Sequence, residues 1–107
     1  MFAYDLISEG PATIVRLTGD LDIDATEVFE EQLAPALREC TEVELDFTNV
    51  PFVDSSGIGL LLALINGVQG RGHSIVVRQL GEEIRRVFAL LQLPEIAGAD
   101  VFPEIKP

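Results

Sequence analysis

The sequence predicts an α/β fold: a single domain built on a mixed β-sheet of four to five strands. Two observations carry that expectation. Short alternating apolar runs and longer runs with helical spacing follow one another in the order β-β-α-β-α-β-α. The first two runs are separated only by the turn cluster Ser8-Glu9-Gly10-Pro11, which reads as the bend of an antiparallel hairpin. Each later strand follows a helix, and strand–helix–strand units impose parallel pairing.

The elements are expected in this order. Phe2 to Ile7 alternates weakly and reads as an edge strand, while Ala12 to Gly19 alternates well and reads as its partner. A helix over about Ala25 to Glu39 places Phe29, Leu33, Ala36 and Leu37 on one stripe. Pro35 lies inside that pattern and cannot donate an amide back to Glu31, so a kink or break is expected there. Glu42 to Phe47 sets Val43, Leu45 and Phe47 against Glu44, Asp46 and Thr48, the signature of a strand with one buried face. The next helix, about Ser56 to Gln69, should bury Ile58, Leu61, Leu62, Ile65 and Val68 and be the most buried of all. Gly70-Arg71-Gly72-His73 turns the chain into the short strand Ser74 to Val77. Gly81 to Leu91 forms a last clear helix on Ile84, Val87, Phe88 and Leu91, stopped by Pro94, and one further short strand is expected around Val101-Phe102.

A chain of 107 residues is one domain, residues 1–107, with room for a single core. Its net charge of −11 repels phosphates and anionic lipids, so neither nucleic acid nor a membrane surface is an expected partner. The excess of acid either serves solubility or favours a partner with a basic face. Cys40 is the sole cysteine, which excludes an intramolecular disulfide and a cysteine-based zinc site. No basic and apolar leader opens the chain, and the apolar run Ile58 to Ile65 is far shorter than the roughly 20 residues that span a bilayer. A soluble, intracellular protein without membrane insertion is expected.

Two stretches hold the polar side chains that chemistry would need. Gly19-Asp20-Leu21-Asp22-Ile23-Asp24 has three carboxylates at alternate positions. A calcium loop of the EF-hand type also requires a glycine at its sixth position, which here is Ala25, so no metal site is expected. The simpler reading is that Asp24 caps the following helix and Glu27 completes a capping-box pair. His73, the single histidine, has no Ser or Cys arranged around it and reads as a solvated loop residue.

The second stretch is Asp54-Ser55-Ser56-Gly57-Ile58-Gly59, where strand gives way to helix. Hydroxyls at a helix start lie near free backbone amides and the positive end of the helix dipole, which favour an added phosphate. A serine there either caps the helix or receives a phosphate, and these residues alone leave both open. Enzymatic readings are poorer: no Gly-x-Ser-x-Gly elbow and no Gly-Lys-Ser/Thr phosphate loop occurs. No catalytic residue and no cofactor is expected.

In order and spacing, Leu17-Thr18-Gly19-Asp20-Leu21-Asp22, Val43-Glu44-Leu45-Asp46-Phe47 and Phe52-Val53-Asp54-Ser55-Ser56-Gly57-Ile58-Gly59 resemble the STAS superfamily, within it the bacterial anti-sigma factor antagonists. Gly70-x-Gly72, Ile75-Val76-Val77 and Ile84-x-x-Val87-Phe88 extend the resemblance to about Leu93. It implies helices packed mainly on one face of the sheet. It also implies a cytoplasmic protein that binds an anti-sigma factor with serine kinase activity, so releasing a sigma factor to RNA polymerase. The kinase would use ATP to phosphorylate the first serine after the aspartate, here Ser55, and a serine phosphatase would restore binding. Asp54 and Ser56 match the flanking motif positions and Asp22 an acidic position near the acceptor. Asp20, Gly57 and Ile58 complete the expected partner-binding set. Many members continue into a further C-terminal helix, where this chain has Phe102-Pro103-Glu104-Ile105-Lys106-Pro107. The alternative is a STAS docking module of a lipid-transport ABC complex or of a stress-signalling scaffold, in which the serine is incidental.

Overall fold

The structure, a computed structural model, describes residues 1–106. Four strands, β1 (Ala3–Glu9), β2 (Ala12–Thr18), β3 (Glu42–Asn49) and β4 (Ser74–Arg78), lie side by side in chain order. β1 and β2 pair antiparallel around the two-residue loop Gly10-Pro11, and the pairs β2/β3 and β3/β4 are parallel. Gly10 has φ +60° at the first loop position, where a type II′ hairpin turn favours glycine. Four helical segments complete the fold: α1 (residues 23–36), α2 (Ser55–Gly70), α3 (Glu82–Leu90) and α4 (Leu93–Ala97).

The two faces of the sheet follow from the period of two. Val15, Leu17, Val43, Leu45, Phe47, Ile75 and Val77 point to one face and are buried in the core with the apolar stripes of the helices. The opposite face carries Asp5, Arg16, Asp46 and Arg78 as register partners in one row, alternating in sign across all four strands. Arg16 pairs with Asp46 and Arg78 with Glu44, each at 3.4 Å. Burial alone would raise the Asp46 carboxyl. Hydrogen bonds from the Thr48 hydroxyl and amide, at 2.6 and 2.8 Å, together with Arg16 outweigh it and hold that carboxyl below its ordinary value.

The proline in α1 does disturb the helix. The segment passes from a 3₁₀ turn (Ile23–Ala25) through a π-helical stretch (Val28–Leu33) to one α turn (Ala34–Ala36). The Ala34 amide bonds to the Phe29 carbonyl, five residues back, just ahead of the position where Pro35 has no amide to give. Phe29, Leu33 and Leu37 are buried as expected, whereas Ala36 is exposed.

α2 buries Leu61, Leu64, Ile65 and Val68, leaving Ile58 and Leu62 half-buried. No helix among the described residues is long and apolar enough to cross a membrane. In α3 only Ile84 and Phe88 are buried, while Val87 and Leu91 are 38% and 47% exposed, contrary to the stripe read from the sequence. Pro94 does not end the helical region. Gln92 reverses the chain with φ +59° and Pro94 sits in the first turn of α4, where a missing amide costs nothing.

The strand expected at Val101-Phe102 is absent; Ala99–Val101 is a 3₁₀ turn, between Gly98 at φ +118° and Pro103. Both side chains are nevertheless core, and the Phe102 ring meets Phe88 edge-on at 5.9 Å. Glu104 then ties this tail to the sheet by accepting the Gln79 and Leu80 amides at 2.7 and 3.0 Å. Pro107 lies outside the described residues.

Candidate functional site

β2 and β3 run parallel, so the loops that leave them emerge at one edge of the sheet. Past the strand ends these loops continue side by side. The Gly19 amide bonds to the Asn49 carbonyl at 3.0 Å and the Leu21 amide to the Phe52 carbonyl at 2.9 Å. The Asp54 amide returns to the Leu21 carbonyl at 3.2 Å, completing a small parallel bridge between Leu21 and Val53. Leu21 is fully buried at this junction. Its neighbours Asp20 and Asp22 are thereby carried beside the Asp54-Ser55 turn, although some thirty residues separate the two stretches in the chain.

Gly57 makes the junction possible. A Cβ on Gly57 would fall on the Leu21 carbonyl and within 2.9 Å of Leu21 Cγ. Glycine here lets the first turn of α2 lie directly on the Leu21 backbone. Gly59, two residues further along, faces open space.

Asp54, and neither serine, caps α2. Its backbone is extended (φ −106°, ψ −174°), its carboxylate accepts the Gly57 amide at 2.9 Å, and its carbonyl accepts the Ile58 amide at 2.9 Å. Ser55 is thus the first helical residue and is exposed; Ser56, the second, is half-buried. Neither hydroxyl makes a hydrogen bond to protein among the described residues. Their own amides have no acceptor within the helix, as at any helix start. The turn therefore presents an accessible hydroxyl over unsatisfied amide hydrogens at the positive end of a sixteen-residue helix.

The acidic loop differs from its expected form in the same way. Asp22 caps the 3₁₀ turn by accepting the Asp24 amide at 3.0 Å, while Asp24 sits exposed within that turn. A bond two residues ahead closes a tighter turn than the capping box expected from Asp24 and Glu27. No group of three or more His, Cys, Asp or Glu among the described residues could hold a metal ion. His73 is half-buried rather than solvated, and its Nδ1 is enclosed without a hydrogen-bond partner among the described residues.

The expected partner-binding set and phosphoacceptor thus separate by exposure. Ser55 and Asp20 are on the surface; Asp22, Asp54, Ser56 and Ile58 are half-buried; Gly57 is buried and shapes the turn from beneath. The sequence reading overlooked Phe52. It is 50% exposed and forms, with Pro51 and Val53, one wall of a cleft of about 190 Å³ whose other wall is Glu83, Ile84 and Val87. The available signal was an aromatic residue between Pro51 and Val53, outside any regular element.

The profile of the family described as "Mlab, STAS domain" matches residues 6–98. The chain belongs to the STAS family. The anti-sigma-B factor antagonist of Bacillus subtilis (strain 168) is 26% identical over 82 residues, covering 77% of this chain and 75% of that protein. The anti-sigma F factor antagonist of Paenibacillus polymyxa is 29% identical over 85 residues, or 78% of this chain and 73% of that one. The solved structure of the anti-sigma factor antagonist SpoIIAA in its unphosphorylated form matches with a TM-score of 0.65 at 25% identity, covering 82% of this chain and 83% of its own. The span matched by the STAS profile contains both paired loops, the Ser55 turn and α3.

Proposed function

We propose that this STAS domain is an anti-sigma factor antagonist of the cytoplasm, a binding switch and not an enzyme. It binds an anti-sigma factor that is also a serine kinase, frees the sigma factor, and lets go when Ser55 is phosphorylated. A serine phosphatase resets it. The observation that carries this reading is the state of Ser55: exposed, first in α2, and released from capping duty by Asp54. The names of the relatives supply the partner class.

Ser55 phosphate would add about −1.5 to −2 charges at neutral pH. In the free protein the helix amides and dipole stabilise that charge. In a complex it would have to shed water inside the contact and sit beside Asp54, Asp20 and Asp22, so it opposes binding through bulk, desolvation and like charge. Asp20, Asp22, Asp54, Ser56 and Ile58 shape the surface that the kinase reads, and Gly57 seats it.

The test is incubation of the chain with ATP and each candidate anti-sigma factor kinase, with phosphate mapped by mass spectrometry. The expected result is one phosphate, on Ser55, and none on Ser55→Ala. A kinase that binds the wild type tightly yet leaves Ser55 unlabelled sinks the switch. Copurification with a membrane transport ATPase, and no binding to any kinase, favours the docking-module alternative.

A further inference from the structure

We propose that the cleft between residues 51–53 and α3 is a second anchor point for the anti-sigma factor, holding one apolar side chain of that partner next to a basic one. This rests on the reading of the Ser55 turn as the partner-binding surface.

The cleft is built from the same strand-end segment as that turn. Phe52 and Val53 lie two and one residues before the Asp54 cap, and their backbone is pinned by the Leu21 bridge. The cleft wall and the Ser55 turn therefore hang on the same backbone pairing. The apolar surface of the cleft is open: Phe52 is 50% and Val87 38% exposed, above the buried Ile84 and Phe88. Burying a half-exposed aromatic ring against a rigid pocket is the kind of contact that dominates protein interfaces.

Size and charge identify the occupant. At about 190 Å³ the cleft falls below the roughly 300–1,000 Å³ typical of small-molecule sites, so it suits a side chain better than a cofactor. One carboxylate, Glu83, lines the cleft on the α3 wall, and the Leu21 pairing brings the acidic stretch Asp20 to Asp22 alongside the Phe52 segment. On a chain of net charge −11, such a rim favours a basic neighbour to the inserted side chain. The basic residue belongs beside Glu83, the one carboxylate that lines the cleft itself.

The experiment uses the anti-sigma factor kinase that labels Ser55, with the full chain carrying Phe52→Ala, Val87→Asp, Glu83→Lys or, as a surface control, Leu90→Asp. Leu90 is 80% exposed on α3 and lies outside the cleft. The first three variants should weaken binding tenfold or more and raise KM for Ser55 phosphorylation by a similar factor, with kcat unchanged. Leu90→Asp should behave as wild type. Binding within twofold of wild type for all three overturns the anchor while leaving the Ser55 switch standing. If no kinase binds or labels the wild type, the proposed function falls and this inference with it. Should Val87→Asp unfold, as read by circular dichroism, Phe52→Ala on its loop decides the matter.

Discussion

α1 and α2 begin alike and continue differently. Each leaves the end of a parallel strand, and each is opened by an aspartate: Asp22 accepts the Asp24 amide at 3.0 Å and Asp54 the Gly57 amide at 2.9 Å. The Asp54 bond spans three residues and starts a regular α-helix of sixteen, whereas the Asp22 bond spans two and starts a 3₁₀ turn. Beyond its cap α1 meets Thr26, Val28 and Pro35, all poor helix residues, and becomes π-helical. α2 carries the run Leu60-Leu61-Leu62-Ala63-Leu64-Ile65 and stays regular despite its four glycines. Ser55, the proposed phosphoacceptor, lies on the regular helix. A hydroxyl offered to another protein's active site gains from a fixed position, and the irregular start of α1 contributes only its flanking carboxylates.

The contrast is broken most severely at Gly57. Gly57→Ala should lose about 3 kcal/mol or more in urea unfolding, because its methyl meets the Leu21 backbone carbonyl, which cannot rotate away. An unchanged midpoint would mean that the two loops separate without cost. Next in size, Ser55→Asp should bind the anti-sigma factor at least tenfold more weakly by calorimetry, about 1.4 kcal/mol, with its melting temperature close to wild type. Equal affinity would count against the switch. Asp54→Ala should cost about 1 kcal/mol as a lost helix cap, and Asp22→Ala less than half as much, since it closes only a short exposed turn. Equal losses would erase the distinction between the two starts. Gly59→Ala should do the reverse and stabilise by about 0.5–1 kcal/mol, because its Cβ enters open space within a helix.

The smallest effect concerns a third aspartate that serves its own backbone. The Asp46 carboxyl is held below the ordinary value of 3.8, so its share of stability is present above that pH and is lost as pH falls through the lower folded value. Asp46→Asn should flatten the acid-unfolding curve from about pH 4 downward, measured by circular dichroism. A mutant curve parallel to wild type would show that the Thr48 and Arg16 contacts do not favour the charged form.

Much of this protein was legible without coordinates because its signals are local. The alternation of Val43, Leu45 and Phe47, the Gly10-Pro11 bend and the break at Pro35 each express what a few adjacent residues can do with their own backbone. The same holds for a helix starting at Asp54-Ser55-Ser56-Gly57. Helical spacing alone placed Val87 and Leu91 in the core, but only Ile84 and Phe88 of α3 reach it. Val101 and Phe102 had the apolar character of a strand and were drawn instead into a 3₁₀ turn against Phe88, anchored by Glu104. The site divides along the same line. A serine at a helix start is a local fact. That Leu21 brings Asp20 and Asp22 alongside, and that Phe52 faces Val87 across a cleft, depend on parallel strands ending together. Those contacts join residues some thirty positions apart, and only the tertiary structure could decide them.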